Sequence, residues 1–367
     1  MDSKNKKQKI LLTGGGTGGS VTPLLAVVEE FNHPSPLYKG GKYEFLWLGT
    51  KDGPERVMVE RAGIKFKTIA GGKWRRYFSL KNLADIFKIK LGFWQALWLM
   101  LKWRPNLVMS AGSFISVPVI WAAWLLGVPI LIHQQDVRPG LANKLMAPFA
   151  KTVTVAFEKS LADYGQKAFW TGNPIRQSMK LAIRDSRFAT HFNIQKNLPV
   201  VLVVGGGTGA EAINKLVLEG LNDLTQFCQV IHVFGKEKGI RIGIINYFAF
   251  EFLDAERMAE ALKLADLVVT RAGLGFLTEL SYLGKPSIII PLPDSHQGEN
   301  AQMFKDAGLV FAQKDLTPEK FTGAIKNLVA DKELQKELGE KMGRVMKAGA
   351  NEAMVKIILE LLASNRI

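Results

Sequence analysis

Apolar residues fall into short unbroken runs separated by longer stretches of helical spacing. The runs Lys9–Thr13, Phe45–Leu48, Leu107–Ser110, Ile130–His133 and Thr152–Ala156 occupy the first half of the chain. Pro199–Val204, Val230–Phe234, Leu267–Thr270 and Ser287–Pro291 occupy the second. A run that is apolar at every position suits a strand buried on both faces, as in a parallel sheet covered by helices. Strands alternating with helices predict an α/β fold. The first strand runs into Gly14-Gly15-Gly16-Thr17-Gly18-Gly19 and a helix beginning near Pro23, and the letters GGGTG return at 205–209 before a helix through Ile213 and Val217. Each half thus opens as strand, glycine loop, helix, which predicts two similar α/β domains with a ligand cleft between them. The expected boundaries are 1–177 and 178–349, with a polar link over Gln177–Leu198. A last helix, Asn351–Ala363 within 350–367, is expected to pack back on the first domain. Thr317-Pro318-Glu319 reads as a helix start, with Thr as cap and Pro at the first position.

Length agrees with more than one core, since 367 residues exceed the about 150 of an ordinary domain. A hydrophobic share of 47% excludes wholesale disorder. A single cysteine, Cys228, excludes a disulfide framework and a multi-cysteine metal site. The formal charge of +15 implies an anionic partner, whether nucleic acid, phosphorylated ligand or acidic membrane surface. No zinc-finger, RRM or helix-turn-helix signature accompanies that charge, so nucleic acid is not expected. The basic N-terminus is followed only by Ile10, Leu11 and Leu12 before the glycines, too short for a signal peptide, and a cytoplasmic location is expected. Ala111–Ile132 carries no charge, but Pro118 and Gly127-Val128-Pro129 break it into a short helix, a turn and a strand rather than a membrane span.

One stretch bears on membranes differently. Lys65 to Arg104 holds ten Lys and Arg against the single acid Asp85, with nine aromatics. Asn82–Trp103 reads as a helix with two apolar stripes. One is Leu83, Ile86, Phe87, Leu91, Trp94, Leu97 and Leu101; the other is Ile89, Phe93, Ala96, Met100 and Trp103. One stripe suffices for a core. Either both are buried, or the second enters a bilayer interface while Lys73, Arg75, Arg76 and Lys81 attract anionic lipid.

A glycine loop between strand and helix lets the chain turn tightly beside a ligand, and the helix then directs its free N–H groups at an anion. Gly14-x-Gly16-x-x-Gly19 matches the dinucleotide fingerprint, so a nicotinamide-dependent oxidoreductase is one reading. That reading needs an acid at the tip of the second strand, where the chain has Trp47-Leu48-Gly49-Thr50. The chain contains no Asp-x-Asp and no metal-spaced cluster of His and carboxylates. A bound diphosphate is therefore expected to be neutralised by helix N-termini and basic side chains, with no metal and no cofactor. Arg176, in Gly172-Asn173-Pro174-Ile175-Arg176, and Arg271, after Val269-Thr270, are the candidates.

Several blocks in order resemble the MurG family of glycosyltransferases. They are Gly15–Gly19; Ala111-Gly112-Ser113 through Pro118; the Ala-Ala-Trp-Leu-Leu-Gly-x-Pro segment at 122–129; and His133-Gln134-Gln135-Asp136 with Pro139-Gly140-Leu141-Ala142-Asn143-Lys144. Gly172–Arg176, Arg271-Ala272-Gly273 through Glu279-Leu280, and His296-Gln297-Gly298-Glu299-Asn300-Ala301 complete the set. The resemblance implies a GT-B fold, two Rossmann-like domains facing an interdomain cleft, and transfer of N-acetylglucosamine from UDP-N-acetylglucosamine to undecaprenyl-linked lipid I. It places the acceptor on the first domain and the donor mainly on the second, at the cytoplasmic face of the bacterial plasma membrane. It implies that Glu279 holds the ribose hydroxyls, that the amides of Leu274, Gly275, Phe276, Leu277 and Thr278 meet the diphosphate, that Leu253 packs near the uracil and that Gln297 reaches the sugar. Thr17, Gly18, Gly19 and Arg176 face the donor across the cleft.

The chain departs from the family pattern at four of these positions. The family His after the first loop is Ser20, its Glu is Gln134, its Asn is Asp136, and a Ser of the second glycine loop is Gly207. A serine hydroxyl is no base at neutral pH without a helper, so Asp136 and His133 become the candidates for proton transfer. Asp136 alternatively bonds the acetamido group or a backbone amide, and His133 alternatively serves the fold. The departures also admit a membrane-associated nucleotide-sugar-binding protein that has lost turnover.

Overall fold

The computed structural model describes residues 7–32, 43–72, 81–182, 194–195, 197–206, 210–235 and 243–364. The chain divides into two units, one of residues 1–176 with 347–367 and one of residues 177–346. In the first unit the strands are β1 (Gln8–Thr13), β2 (Tyr43–Gly49), β3 (Lys65–Thr68), β4 (Leu107–Ser110), β5 (Ile130–Gln134), β6 (Thr152–Val155) and β7 (Ala168–Trp170). They form one parallel sheet in the order β3-β2-β1-β4-β5-β6-β7. Ile10, Leu11 and Leu12 of β1 and all of β4 are buried, as unbroken apolar runs require.

Strand order reverses between β1 and β4, where Thr13 lies between Leu48 on one side and Ser110 on the other. At such a switch the loops leaving the two strands diverge to opposite faces and open a crevice at their carboxyl ends. The Gly14–Gly19 loop leaves β1 and the Ala111–Ile115 loop leaves β4 there. One face of the sheet is covered by the helix Thr22–Asn32 and by the final helix Ala350–Ser364, whose Met354, Val355, Ile358, Leu361 and Leu362 join the core of β1 and β2. The other face carries the helices Lys81–Trp103 and Ser116–Leu125. The charge-free stretch resolves into the second of these helices, a turn at Gly127 (φ 67°) and β5. No helix among the described residues is long and apolar enough to cross a membrane.

The second unit has β8 (Val200–Val204), β9 (Gln229–Val233), β10 (Tyr247–Phe250), β11 (Leu267–Thr270), β12 (Ser287–Ile289) and β13 (Leu309–Val310). Their parallel order is β10-β9-β8-β11-β12-β13, so the switch lies between β8 and β11. The helix Glu211–Glu219 follows the second glycine loop, and Leu274–Leu283 follows β11. Thr317 caps the helix Pro318–Ala330 by accepting the Lys320 N–H at 3.3 Å, with Pro318 at the first position.

Candidate active site

In the first unit the glycine loop is shaped from within. Gly16 has φ 79°, the left-handed region that glycine adopts without penalty, and a Cβ there would meet the Phe114 ring at 2.9 Å. A Cβ on Gly15 would land on the carboxylate of Glu55. Ser20, where the family carries His, is buried and turned back into the loop. Its Oγ accepts the Gly15 N–H at 3.2 Å and donates to the Gly15 carbonyl. Ser113 Oγ donates to that same carbonyl at 2.7 Å and so ties the β4 loop to the β1 loop. Ser113 itself has φ 90°, an uncommon backbone for a residue with a side chain. Gln135 Nε2 donates to the Gly19 carbonyl at 2.7 Å, bringing the exit of β5 to the same place. Thr17, Gly18, Gly19, Gln135 and Asp136 thus belong to one connected group of loops, with Asp136 half-buried.

His133 corrects the expectation of a proton acceptor at that position. It points into the fold with no exposed surface, its Nδ1 paired with Thr154 Oγ1 at 3.0 Å and its Nε2 with Asn173 Oδ1 at 2.9 Å. Burial lowers its pKa to about 4, against smaller opposing effects of these two partners. Both ring nitrogens are engaged inside the fold, so His133 positions the Gly172–Arg176 segment. Gln134, one residue on, uses all four of its amide hydrogen-bonding positions. Nε2 donates to the carbonyls of Asp136 (2.7 Å) and Arg138 (3.0 Å), and Oε1 accepts from Tyr164 Oη (2.9 Å) and Asn143 Nδ2. Burial, with Asp163 adding to it, raises the Tyr164 pKa above its ordinary value, which keeps the hydroxyl a donor. Asn143 Oδ1 is buried and has no hydrogen-bond partner.

In the second unit Gly273 caps the helix Leu274–Leu283 without a side-chain bond, so the helix opens with its amides toward the carboxyl end of β11. Of the five amides expected to meet a diphosphate, Phe276 and Leu277 donate to the Gly273 carbonyl at 3.1 Å, because the turn already consumes them. Leu274 and Gly275 lead the helix. Leu277 and Thr278 are buried, and Thr278 Oγ1 donates to the Leu274 carbonyl at 2.7 Å. Glu279 is buried on the same helix.

Arg271 is corrected as a free cation at this site. It is buried, and its Nη1 donates to the carbonyls of Ile290 and Pro291 at 3.2 Å each, clasping the exit of β12. Gln297 Oε1 accepts the Leu292 N–H at 3.0 Å, which closes the loop after β12. Leu253 is buried beside the cap residue Asp254. Arg176, at the end of the first unit, is half-buried. Gly207, Lys73, Trp74, Arg75, Arg76 and the Lys81 side chain lie outside the described residues. Among the described residues no group of three His, Cys, Asp or Glu is placed so that it could hold a metal ion.

Two features escaped the pattern reading. Glu55, fully buried at the start of the helix Glu55–Arg61, had only the look of an ordinary first-turn acid. His232, buried on β9, pairs its Nδ1 with Tyr247 Oη at 2.8 Å and its Nε2 with Asn214 Oδ1 at 3.0 Å. Asn214 Nδ2 then donates to the Phe234 carbonyl at 2.9 Å, holding the helix after the second glycine loop to the end of β9.

The two stripes of the helix Lys81–Trp103 are not both buried. Ala96, Leu99 and Met100 are buried, with Phe93 and Trp103 packed beside them. Phe87 (64% exposed), Leu91 (54%), Trp94 (64%), Trp98 (64%) and Leu101 (56%) form an uncovered row at helical spacing. Leu97 is half-buried against the core. Lys102 Nζ lies 5.4 Å from the Trp98 ring centre, at the end of the row.

Two doubly wound parallel sheets with glycine loops at their switch points define a glycosyltransferase fold of the GT-B type. The chain matches the glycosyltransferase family 28 N-terminal domain over residues 10–155 and the C-terminal domain of that family over residues 200–356. It is 39% identical over 334 residues to a protein of Clostridium kluyveri, covering 88% of this chain and 91% of the relative. That relative is named UDP-N-acetylglucosamine--N-acetylmuramyl-(pentapeptide) pyrophosphoryl-undecaprenol N-acetylglucosamine transferase. A protein of the same name from Clostridium tetani is 36% identical, covering 89% and 91%. The crystal structure of Acinetobacter baumannii MurG superposes with a TM-score of 0.70 at 24% identity, covering 96% and 99%. A UDP-GlcNAc 2-epimerase from Neisseria meningitidis, bound to UDP-GlcNAc, shares the fold with a TM-score of 0.71 at 14% identity, covering 96% and 100%. The chain belongs to glycosyltransferase family 28 and, within it, to the MurG family.

Proposed function

We propose that the protein transfers N-acetylglucosamine from UDP-N-acetylglucosamine to the C4 hydroxyl of the muramoyl sugar of lipid I, giving lipid II in peptidoglycan synthesis. The observation that carries this reading is the 39% identity over 334 residues with a transferase named for that reaction. The acceptor hydroxyl attacks the anomeric carbon as the bond to UDP breaks, with inversion, and its proton passes to a base. Asp136 is assigned that base. It is half-buried, and it stands on the loop group that joins Gly19 to Gln135. Ser20 is spent on Gly15, which supports moving the role away from that position.

Departure of UDP needs its diphosphate stabilised more in the transition state than before it. The leading amides of Leu274 and Gly275, the amides of Thr17–Gly19 and the guanidinium of Arg176 are assigned to charge on the diphosphates. Glu279 is assigned to the ribose hydroxyls, which a carboxylate accepts as a pair. Leu253 is assigned to the uracil and Gln297 to the sugar. No step here calls on a metal or a cofactor.

The lipid-linked acceptor requires the enzyme to work at a bilayer. The uncovered row Phe87, Leu91, Trp94, Trp98 and Leu101, with the basic residues of 65–104, is assigned to the anionic cytoplasmic face of the plasma membrane, with the protein peripheral.

UDP release in the presence of donor and a lipid I analogue, repeated with EDTA, tests the reading. Turnover unaffected by the chelator is the expected result. Tight UDP binding without release indicates a binding protein that has lost turnover. In Asp136→Ala, turnover is expected to fall about 100-fold or more, with UDP affinity retained. Unchanged turnover removes Asp136 from the base role.

A further inference from the structure

The side chain of Glu55 is enclosed by the first glycine loop. Its Oε2 accepts the Gly16 N–H at 3.0 Å, and its Oε1 accepts the Thr50 N–H at 2.7 Å and the Thr50 hydroxyl. All three donors are neutral. Glu55 has no exposed surface. Two glycines make room for it. A Cβ on Gly15 or on Gly53 would collide with the carboxylate. Gly15 and Gly53 are therefore glycine because a carboxylate of the protein itself occupies the space that their side chains would fill.

A glycine turn with inward N–H groups is ordinarily an anion receptor, and the usual anion is a phosphate of the ligand. Here the amide of Gly16 is already given to Glu55. A second anion at Gly15–Gly16 would meet both a filled space and a like charge in a buried setting, where such repulsion is strong. We propose that Glu55 is an internal anion and a positioning residue. It stands in for a ligand phosphate at Gly15–Gly16, sets the loop in its working shape before substrate arrives, and leaves the later amides, Thr17 to Gly19, for substrate. This explains how a loop that spells the dinucleotide fingerprint serves a different ligand. Both carboxylate oxygens accept backbone N–H groups, so the requirement is for two acceptors. A Gln amide supplies one acceptor and turns an NH2 toward the other N–H.

The turnover part of the test rests on the transferase reading, so a second readout does not. In the full-length protein, amide hydrogen exchange over residues 13–20 is measured for the wild type, Glu55→Gln and Glu55→Ala. Exchange at Gly16 is expected to quicken about tenfold or more in Glu55→Ala, as for loss of a hydrogen bond to a charged acceptor. In Glu55→Gln the same loss is expected at whichever of Gly16 and Thr50 faces the NH2, so the Thr50 amide is followed as well. Exchange in β1 should hold. With donor and a lipid I analogue, kcat/KM for the acceptor is expected to fall by up to about 100-fold in both variants, as misplacement of a binding loop does. UDP affinity is expected to fall less than kcat/KM for the acceptor, because the Thr17–Gly19 amides are only some of the groups assigned to the diphosphates. Sodium formate should restore part of the turnover to Glu55→Ala, whose cavity admits a small carboxylate, and none to Glu55→Gln. Should Glu55→Ala not fold, Thr50→Val removes a single donor and is expected to show the same two effects in weaker form. Wild-type exchange and wild-type acceptor kcat/KM in Glu55→Gln overturn the proposal. A wild-type protein inactive toward lipid I refutes the transferase reading instead, and the exchange measurement then decides the role of Glu55.

Discussion

Asn351 and Ile175 exchange two hydrogen bonds. Asn351 Oδ1 accepts the Ile175 N–H at 3.0 Å, and Asn351 Nδ2 donates to the Ile175 carbonyl at 2.9 Å. The same Nδ2 also reaches the Ala26 carbonyl at 3.3 Å. One buried amide on the final helix thus fixes the residue before Arg176 and fastens the returning chain to the first unit. Asn351→Ala leaves buried backbone groups without partners and is expected to destabilise by on the order of 3 kcal/mol. Urea unfolding followed by fluorescence measures this, and a loss under about 0.5 kcal/mol, the size of an ordinary surface substitution, refutes it.

Much of this arrangement could be read from the chain alone. Val200–Val204 and Leu107–Ser110 are apolar at every position, and only a parallel strand covered on both faces asks for that. The Ala350–Ser364 helix showed its apolar face in its spacing, and Thr317-Pro318 showed a helix start in its chemistry. What stayed hidden were the side-chain pairings between distant segments. Nothing near Glu55 in sequence announces that Gly16 will donate to it, and the sequence leaves His133 open between proton transfer and service to the fold until Asn173 and Thr154 are seen on its two nitrogens. Arg271 has a basic charge that suggested a diphosphate, while its bonds go to carbonyls at the exit of β12. The Lys81–Trp103 helix displayed both its stripes, but which one faces the sheet is set by packing.

The two buried histidines give a pH signature. Burial lowers the pKa of both His133 and His232 to about 4, from the model-peptide value of 6.5. In the unfolded chain each takes a proton as pH falls through 6.5, while in the fold each stays neutral until about 4. Between those values the unfolded state holds more protons, so stability falls as pH falls. The loss is nil above the upper value, complete near the lower one, and on the order of 3 kcal/mol per histidine. Unfolding free energies at a series of pH values, for the wild type and for His133→Gln and His232→Gln, check it. Each variant should show a shallower decline below neutrality. Equal slopes in all three proteins reject the assignment.

The uncovered row predicts a separation between stability and membrane binding. Trp94 and Trp98 are each 64% exposed, so replacing both with Ser takes little from the core. Unfolding free energy is expected to stay within about 0.5 kcal/mol, as for surface substitutions. Sedimentation with vesicles containing phosphatidylglycerol should weaken roughly tenfold or more per indole, from the apolar area that no longer enters the interface. High salt should weaken what remains, since Lys and Arg near anionic headgroups are screened. Undiminished binding by the double variant excludes this row as the contact.

Gln134, which the resemblance places where the family has Glu, is held by four hydrogen bonds. Two carbonyls, those of Asp136 and Arg138, require a donor at this position, and a carboxylate offers none. Gln134→Glu would set negative oxygens against both carbonyls, and the loop that carries Asp136 would have to move. Gln134→Met keeps the bulk, removes all four bonds and adds no charge. In both variants kcat is expected to fall about 10- to 100-fold. UDP affinity, which belongs to other residues in the proposed mechanism, should hold. If Gln134 acts by placing Asp136, its effect must vanish once Asp136 no longer matters. In the Asp136→Ala background Gln134→Met should therefore cost less than about threefold, a strongly non-additive cycle. Additive losses would mean that Gln134 supports the fold at large, and that Asp136 does not depend on it for its position.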